Sequence, residues 1–152
     1  ASNVVTATFS SSFAEWRRIL VEEFSGIATS SSLDGSYQDN TGTTADYTTA
    51  DITTTTSGLV VLGVGDYSSL SSFTGTPGNP DFSVGVSYSD TVFFYYISGS
   101  AQTITPGGWA AGKTQWVAIA QAFKDAAGGG ANNAGPLVNA NRLKSMFGAL
   151  VN

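Results

Sequence analysis

Carboxylates are the main candidates for chemistry in this chain, which has eleven Asp and Glu residues but neither histidine nor cysteine. The usual proton shuttle near neutrality and the thiolate nucleophile are therefore missing. Two facing acids can still hydrolyse a glycosidic bond. Glu22 and Glu23 are adjacent in a predicted strand, however, so they point to opposite faces and do not form such a pair. The sequence predicts no catalytic residues and a protein that is not an enzyme.

The acidic and hydroxyl-rich stretch from Asp34 to Asp39 offers oxygen atoms of the kind that calcium binds. Asp34 and Asp39 are therefore candidate calcium ligands. The stretch lacks the alternating Asp and Asn spacing and the closing Glu of an EF-hand, and Asp beside Gly is common in ordinary turns. A turn role for both residues is the favoured alternative, and no other cofactor is expected.

Exposed aromatic rings are the remaining candidates for ligand binding, since an aromatic face can stack on a sugar ring. Trp109 follows a Pro-Gly-Gly sequence in a predicted loop, and Tyr95 and Tyr96 end an aromatic run of four residues. Alternation along a strand places Tyr95 and Tyr96 on opposite faces, one of them partly exposed. The hypothesis is a glycan site that combines Trp109 with Tyr95 or Tyr96. Plain packing of Trp109 is the favoured alternative.

Charge narrows the choice of partners. The formal net charge is −5, with six Lys and Arg residues. A phosphate backbone would be repelled, and no basic stripe offsets the repulsion, so no nucleic-acid partner is expected. No run approaches the ~20 apolar residues that span a bilayer, so membrane insertion is not expected either.

Most periodic segments have the alternation and the β-branched content of strands. In the clearest of them, residues 113–124, Trp116 and the alanines at 118, 120 and 122 share one face. Strands are predicted over residues 3–9, 16–24, 51–56, 58–65, 82–88, 91–97, 102–105 and 113–124, with a hairpin around Ser89-Asp90 and a long loop over residues 25–50. The predicted fold of residues 1–125 is all-β, an antiparallel β-sandwich of the jelly-roll or lectin-like kind.

The C-terminal part has a different composition. Residues 126–135 are only Gly, Ala and Asn, which is typical of a linker. Residues 136–152 are predicted to form an amphipathic helix, because Leu143, Met146, Phe147 and Leu150 recur at helical spacing. A helix this short is only marginally stable by itself in water. Its apolar stripe must therefore dock, either on its own sandwich or on a neighbouring chain. The glycine-rich linker favours the neighbour, which makes these four the predicted partner-binding residues.

Four strand motifs follow one another in a distinctive order: Val-Val-Thr-Ala-Thr-Phe-Ser at residues 4–10, Ile-Leu-Val-Glu-Glu-Phe-Ser-Gly-Ile at 19–27, Ser-Gly-Leu-Val-Val-Leu-Gly-Val-Gly at 57–65 and Trp-Val-Ala-Ile-Ala-Gln-Ala-Phe-Lys at 116–124. Together they resemble a β-sandwich module of bacterial secreted proteins and of phage minor tail and head-surface proteins. The resemblance covers residues 3–124 and includes no catalytic motif. That module normally opens with further strands, so either this sandwich is rebuilt with fewer strands or another chain supplies them.

Three features favour a non-enzymatic structural protein on the surface of a virion, either a phage head decoration or a tail or fibre component. They are a hydroxyl-rich composition without catalytic groups, a sandwich that lacks the opening strands of the module it resembles, and a linker followed by an amphipathic helix. The protein's expected partners are neighbouring chains in a particle, as a homo-oligomer. The alternative is a carbohydrate-binding or adhesion module of a secreted bacterial protein, located outside the cell or on its surface. That alternative predicts a cell-surface glycan as ligand, with Trp109 and one of the two tyrosines exposed on the same face.

Overall fold

A computed structural model of the chain describes residues 5–8, 19–44, 46–67, 70–75, 80–111 and 115–126. In this part the chain forms strands that all pair antiparallel, and it contains no helix. The strands are β1 (Gln38–Gly42), β2 (Asp46–Thr48), β3 (Ile52–Thr53), β4 (Gly58–Asp66), β5 (Ser71–Thr74), β6 (Ser83–Tyr88), β7 (Thr91–Ser98), β8 (Thr103–Ile104), β9 (Gly107–Ala111) and β10 (Trp116–Lys124). The predicted all-β, antiparallel class is therefore confirmed. None of the described residues belongs to a helix long and apolar enough to cross a membrane.

The strands form three sheets. The largest has five strands in the order β1-β10-β4-β7-β6, the second has three in the order β2-β9-β5, and β3 pairs with β8 alone. At the centre of the five-stranded sheet, β4 runs in unbroken register with β10, from Gly58 opposite Lys124 to Asp66 opposite Trp116. Val60, Leu62 and Val64 of β4 point into the core, which explains the apolar side chains on one face of this strand.

Alternation gives the five-stranded sheet an inner and an outer face. On β10, Ala118 and Ala120 are at most 1% exposed, whereas Val117 and Ile119 are 54% and 52% exposed. Trp116 and the alanines therefore share the inner face, as the sequence predicts. The opposite side of the sheet, which carries Val117 and Ile119, is called the outer face below.

The inner face packs against the three-stranded sheet. Tyr47 of β2 meets Trp116 of β10 edge to face, with ring centroids 5.5 Å apart. Gly108 of β9 lies against the ring of Phe94 in β7, and a Cβ atom at this glycine would be only 2.5 Å from the ring. The side chains between the sheets form one core, which includes Tyr47, Val60, Leu62, Val64, Val92, Phe94, Ala110 and Trp116.

Several predicted elements are confirmed. The hairpin around Ser89-Asp90 is formed by β6 and β7, and the strands predicted over residues 58–65 and 113–124 are β4 and β10. The strands predicted over residues 51–56 and 102–105 shrink to the two-residue strands β3 and β8, which pair with each other.

Other predicted elements are wrong. Residues 25–50, expected as one loop, contain β1 and β2, while residues 19–24, expected within a strand, are not part of one. The sequence pattern does not predict β5 or β9, which the structure contains. Residues 5–8 of the predicted first strand are exposed and unpaired with any described strand. The rest of the first two predicted strands, the linker beyond residue 126 and the predicted helix over residues 136–152 lie outside the described residues.

Candidate functional site

The two tyrosines proposed for a glycan site lie on opposite faces of the five-stranded sheet. Tyr95 points to the outer face, where its ring meets Phe24 at a centroid distance of 5.3 Å. Tyr96 points inward and packs against the core, 5.9 Å from the ring of Phe82. Both rings are partly buried, Tyr95 beside the ring of Phe24 and Tyr96 against the core.

Trp109 lies on a third surface. It alternates along β9 with the buried residues Gly108 and Ala110, so its side chain points away from the core, on the far side of the three-stranded sheet. The structure therefore does not bring Trp109 together with Tyr95 or with Tyr96.

The two candidate calcium ligands have different environments. Asp34 is 1% exposed, and its carboxylate accepts hydrogen bonds from the Thr55 backbone N–H (2.8 Å), the Thr55 hydroxyl (2.6 Å) and the Thr56 backbone N–H (3.4 Å). It thereby holds the turn that precedes β4. Asp39 is exposed on the edge strand β1. Among the described residues, no three or more Asp, Glu, His or Cys side chains cluster as metal ligands would.

Two further buried aspartates support the strands from inside. Asp125 accepts a hydrogen bond from the Ser57 hydroxyl. Asp66 accepts one from the Tyr47 hydroxyl at 3.3 Å. Burial, and then the neighbouring carboxylate of Asp66, raise the pKa of Tyr47 well above its usual value, so this phenol stays protonated. These hydrogen bonds join residues far apart in the sequence and stabilise the fold.

An extended segment crosses the outer face. Residues 19–24, called the arm below, carry Phe24, whose ring lies 6.2 Å from Phe93 and 5.3 Å from Tyr95 of β7. Leu20, Glu22 and Phe24 are partly buried, whereas Ile19 and Val21, between them in the sequence, are 48% and 50% exposed. The arm thus covers β7 with one set of side chains and presents an aliphatic set outward.

Glu22 anchors the arm to the edge of the sheet. Its carboxylate accepts a hydrogen bond from the Val86 backbone N–H of β6, beside Gly85, where a Cβ atom would collide with the carboxylate. The register between β6 and β7 shifts at this point, between Val84 and Ser87. Burial raises the pKa of Glu22, and the bond from Val86 offsets part of that rise.

A second part of the outer face forms a groove with a glycine floor. Gly63 and Gly65 of β4 lie opposite Ile119 and Val117 of β10, and Gly63 lies opposite Phe93 of β7 on its other side. Because paired residues in neighbouring strands share a face, the two aliphatic side chains form one wall and Phe93 the other. A Cβ atom would be in ordinary van der Waals contact with Ile119 at Gly63 (3.9 Å) and with Val117 at Gly65 (3.8 Å). Both aliphatic side chains therefore lie beside backbone that carries no side chain of its own. This feature is called the glycine groove below.

Part of this groove can be recognised in the sequence Gly63-Val64-Gly65. Alternation puts both glycines on the same face, while Val64 is buried in the core. The large outward residues Val117 and Ile119 become their neighbours only through the pairing of β4 with β10, which the sequence does not specify.

Comparisons of the chain with protein-family models, curated proteins and solved structures found no match.

Proposed function

We propose that this protein is a non-enzymatic structural subunit on the surface of a virus particle, as a phage head decoration or a tail or fibre component. The observation that carries the proposal is an aliphatic surface on one side of the molecule. Ile19 and Val21 of the arm and Val117 and Ile119 of the outer face are all about half exposed, at 48%, 50%, 54% and 52%. They form two pairs, each of residues two apart along the chain, and exposed aliphatic patches often mark protein interaction sites.

The packing of the sheets supports a β-sandwich fold for this subunit. A five-stranded and a three-stranded antiparallel sheet that share a core are consistent with a jelly-roll or lectin-like β-sandwich. In such a subunit, neighbouring copies would contact the arm, and the residues predicted to bind partners (Leu143, Met146, Phe147 and Leu150) would add a second attachment. The contact through the arm would bury aliphatic side chains that are about half exposed in the isolated chain.

The mass of the full chain in solution, measured by light scattering over a range of concentrations, tests the proposal. We expect the wild-type chain to associate and the double variant Ile19→Asp, Val21→Asp to remain a monomer. The control variant, Tyr67→Ser, changes a side chain that is 75% exposed at the end of β4, and it should associate as the wild type does. A wild-type chain that stays monomeric at every concentration would overturn the proposal.

A further inference from the structure

The arm packs against one wall of the glycine groove, Phe93, and leaves the other wall exposed. Phe24 lies over Phe93 and Tyr95, and from there the arm continues toward β6, where Glu22 bonds to Val86. β6 and β10 lie on opposite sides of β4 and β7 in the sheet order, so the arm leads away from the groove. The wall formed by Val117 and Ile119 is consequently more than half exposed.

We propose that residues 136–152 of the same chain, called the tail below, occupy the glycine groove. The four apolar residues predicted to share one helix face stand at positions i, i+3, i+4 and i+7: Leu143, Met146, Phe147 and Leu150. This is the spacing with which an amphipathic helix lays its apolar face into a hydrophobic groove. A floor of glycines lets the backbone of an occupant approach the sheet closely.

The connecting chain is long enough for docking within one molecule. Ile119 of β10 lies six residues before Asp125, which directly follows the strand, so the groove is about 20 Å from the start of the connecting chain. The ten residues 126–135 can span at most about 35 Å. A short tether of this kind keeps a segment near its site at an effective concentration in the millimolar range. Its own tail therefore reaches the groove more readily than the tail of another molecule in dilute solution.

The charges of the tail and of the rest of the chain also favour docking of the tail. Residues 136–152 contain Arg142 and Lys144 and no acidic residue, so they carry a charge of +2. Since the whole chain carries −5, residues 1–135 carry −7. Asp39 of β1 lies opposite Ile119 and on the same face, so an exposed carboxylate borders the groove. The basic tail and the acidic body attract each other over a Debye length of roughly 8 Å at physiological salt.

This inference goes beyond the particle proposal, because it concerns the free chain. It also describes the state of the chain before it assembles into a particle. A tail docked on its own molecule can be exchanged for the tail of a neighbour during assembly, as identical elements are in domain swapping.

Paramagnetic NMR on the full chain tests the docking. The chain has no cysteine, so Ser145→Cys provides one attachment point for a nitroxide label within the tail. We expect the label to broaden the amide signals of Gly63, Val117 and Ile119 strongly in dilute solution. Gly63→Val fills the floor of the groove and should remove this broadening, whereas Gly99→Val should not, because nothing lies within 4 Å of a Cβ atom at Gly99. Phe147→Asp, which leaves the sheets unchanged, should remove it too.

A mixed sample identifies the source of the tail. An isotope-labelled chain without nitroxide is combined with a nitroxide-bearing chain without isotope label, and we expect no broadening. Broadening in the mixed sample would show that the tail of a second copy occupies the groove, which overturns the inference. No broadening in either sample would overturn it as well. Light scattering of the same samples tests the particle proposal separately, so that either idea can fail without the other.

Discussion

Single glycines set how closely the two sheets approach each other. Gly108 of β9 lies against the ring of Phe94, and a methyl group there would overlap the ring. Both residues belong to strands that are hydrogen-bonded on both sides, so neither can move away without disturbing its sheet. The distance between the sheets therefore depends on the absence of one Cβ atom.

We predict that Gly108→Ala lowers the free energy of unfolding by about 1–3 kcal/mol, the usual cost of overpacking a core. The matched control is Gly99→Ala, where an added Cβ atom meets nothing within 4 Å and where the change should stay within about 0.5 kcal/mol. Urea denaturation followed by tryptophan fluorescence measures both. Equal stability of the two variants would mean that the sheets tolerate a wider spacing.

The arm is the element whose attachment depends on a titratable group. Glu22 is the residue through which the arm contacts β6, and burial raises the pKa of its carboxyl above the ordinary value of 4.5. An acid whose pKa is raised by folding binds its proton more tightly in the folded chain than in the unfolded chain. Its stabilising contribution is therefore complete below pH 4.5 and is lost as the pH rises through the raised pKa.

We predict that the free energy of unfolding of the wild type falls, relative to that of Glu22→Gln, as the pH rises above 4.5. The glutamine keeps an oxygen that can accept the Val86 N–H but does not ionise. The difference should remain below about 1 kcal/mol, because Glu22 is only partly buried and water screens its charge. Glu23→Gln, an exposed neighbour on the same arm, is the control. A wild type whose stability rises relative to that of Glu22→Gln over this range would contradict the burial argument.

Elements with a strong apolar pattern were predictable from the sequence, and elements defined by distant contacts were not. The runs that became β4, β7 and β10 have the alternation or the β-branched content that strands require. In contrast, β1 (Gln38–Gly42) is polar and is held at a sheet edge by backbone bonds to β10, which any sequence can make. The Gly-Gly sequence of β9 resembles a loop until the ring of Phe94 is known to lie against it.

The candidate site also combines features that local pattern predicts with features that depend on distant contacts. Alternation within one strand was enough to separate Tyr95 from Tyr96, because both lie on β7. The face on which Trp109 lies depends on which sheet β9 joins, and the glycine groove depends on the pairing of β4 with β10. Those pairings join residues far apart in the chain, so local pattern carries no information about them.

At the scale of the whole molecule, the two outer surfaces are separated by the core. Tyr95 lies on the outer face of the five-stranded sheet, and Trp109 lies on the far side of the three-stranded sheet. Packed sheets are about 10 Å apart, and each side chain extends further away from the core. A single sugar ring therefore cannot stack on both residues, and a glycan site that combines them is incompatible with this geometry.

We predict that a glycan array shows no ligand whose binding depends on both Trp109 and Tyr95. The wild type, Trp109→Ala and Tyr95→Ala should give the same pattern of signals, because the particle proposal assigns neither residue to a ligand. Each variant is first compared with the wild type by urea denaturation, so that a loss of signal through unfolding is recognised. A glycan that binds the wild type and is lost in both folded variants would contradict the placement of the two residues. A glycan lost only in Trp109→Ala would instead assign a binding role to the far side of the three-stranded sheet, and the adhesion module would then replace the particle subunit as the better description.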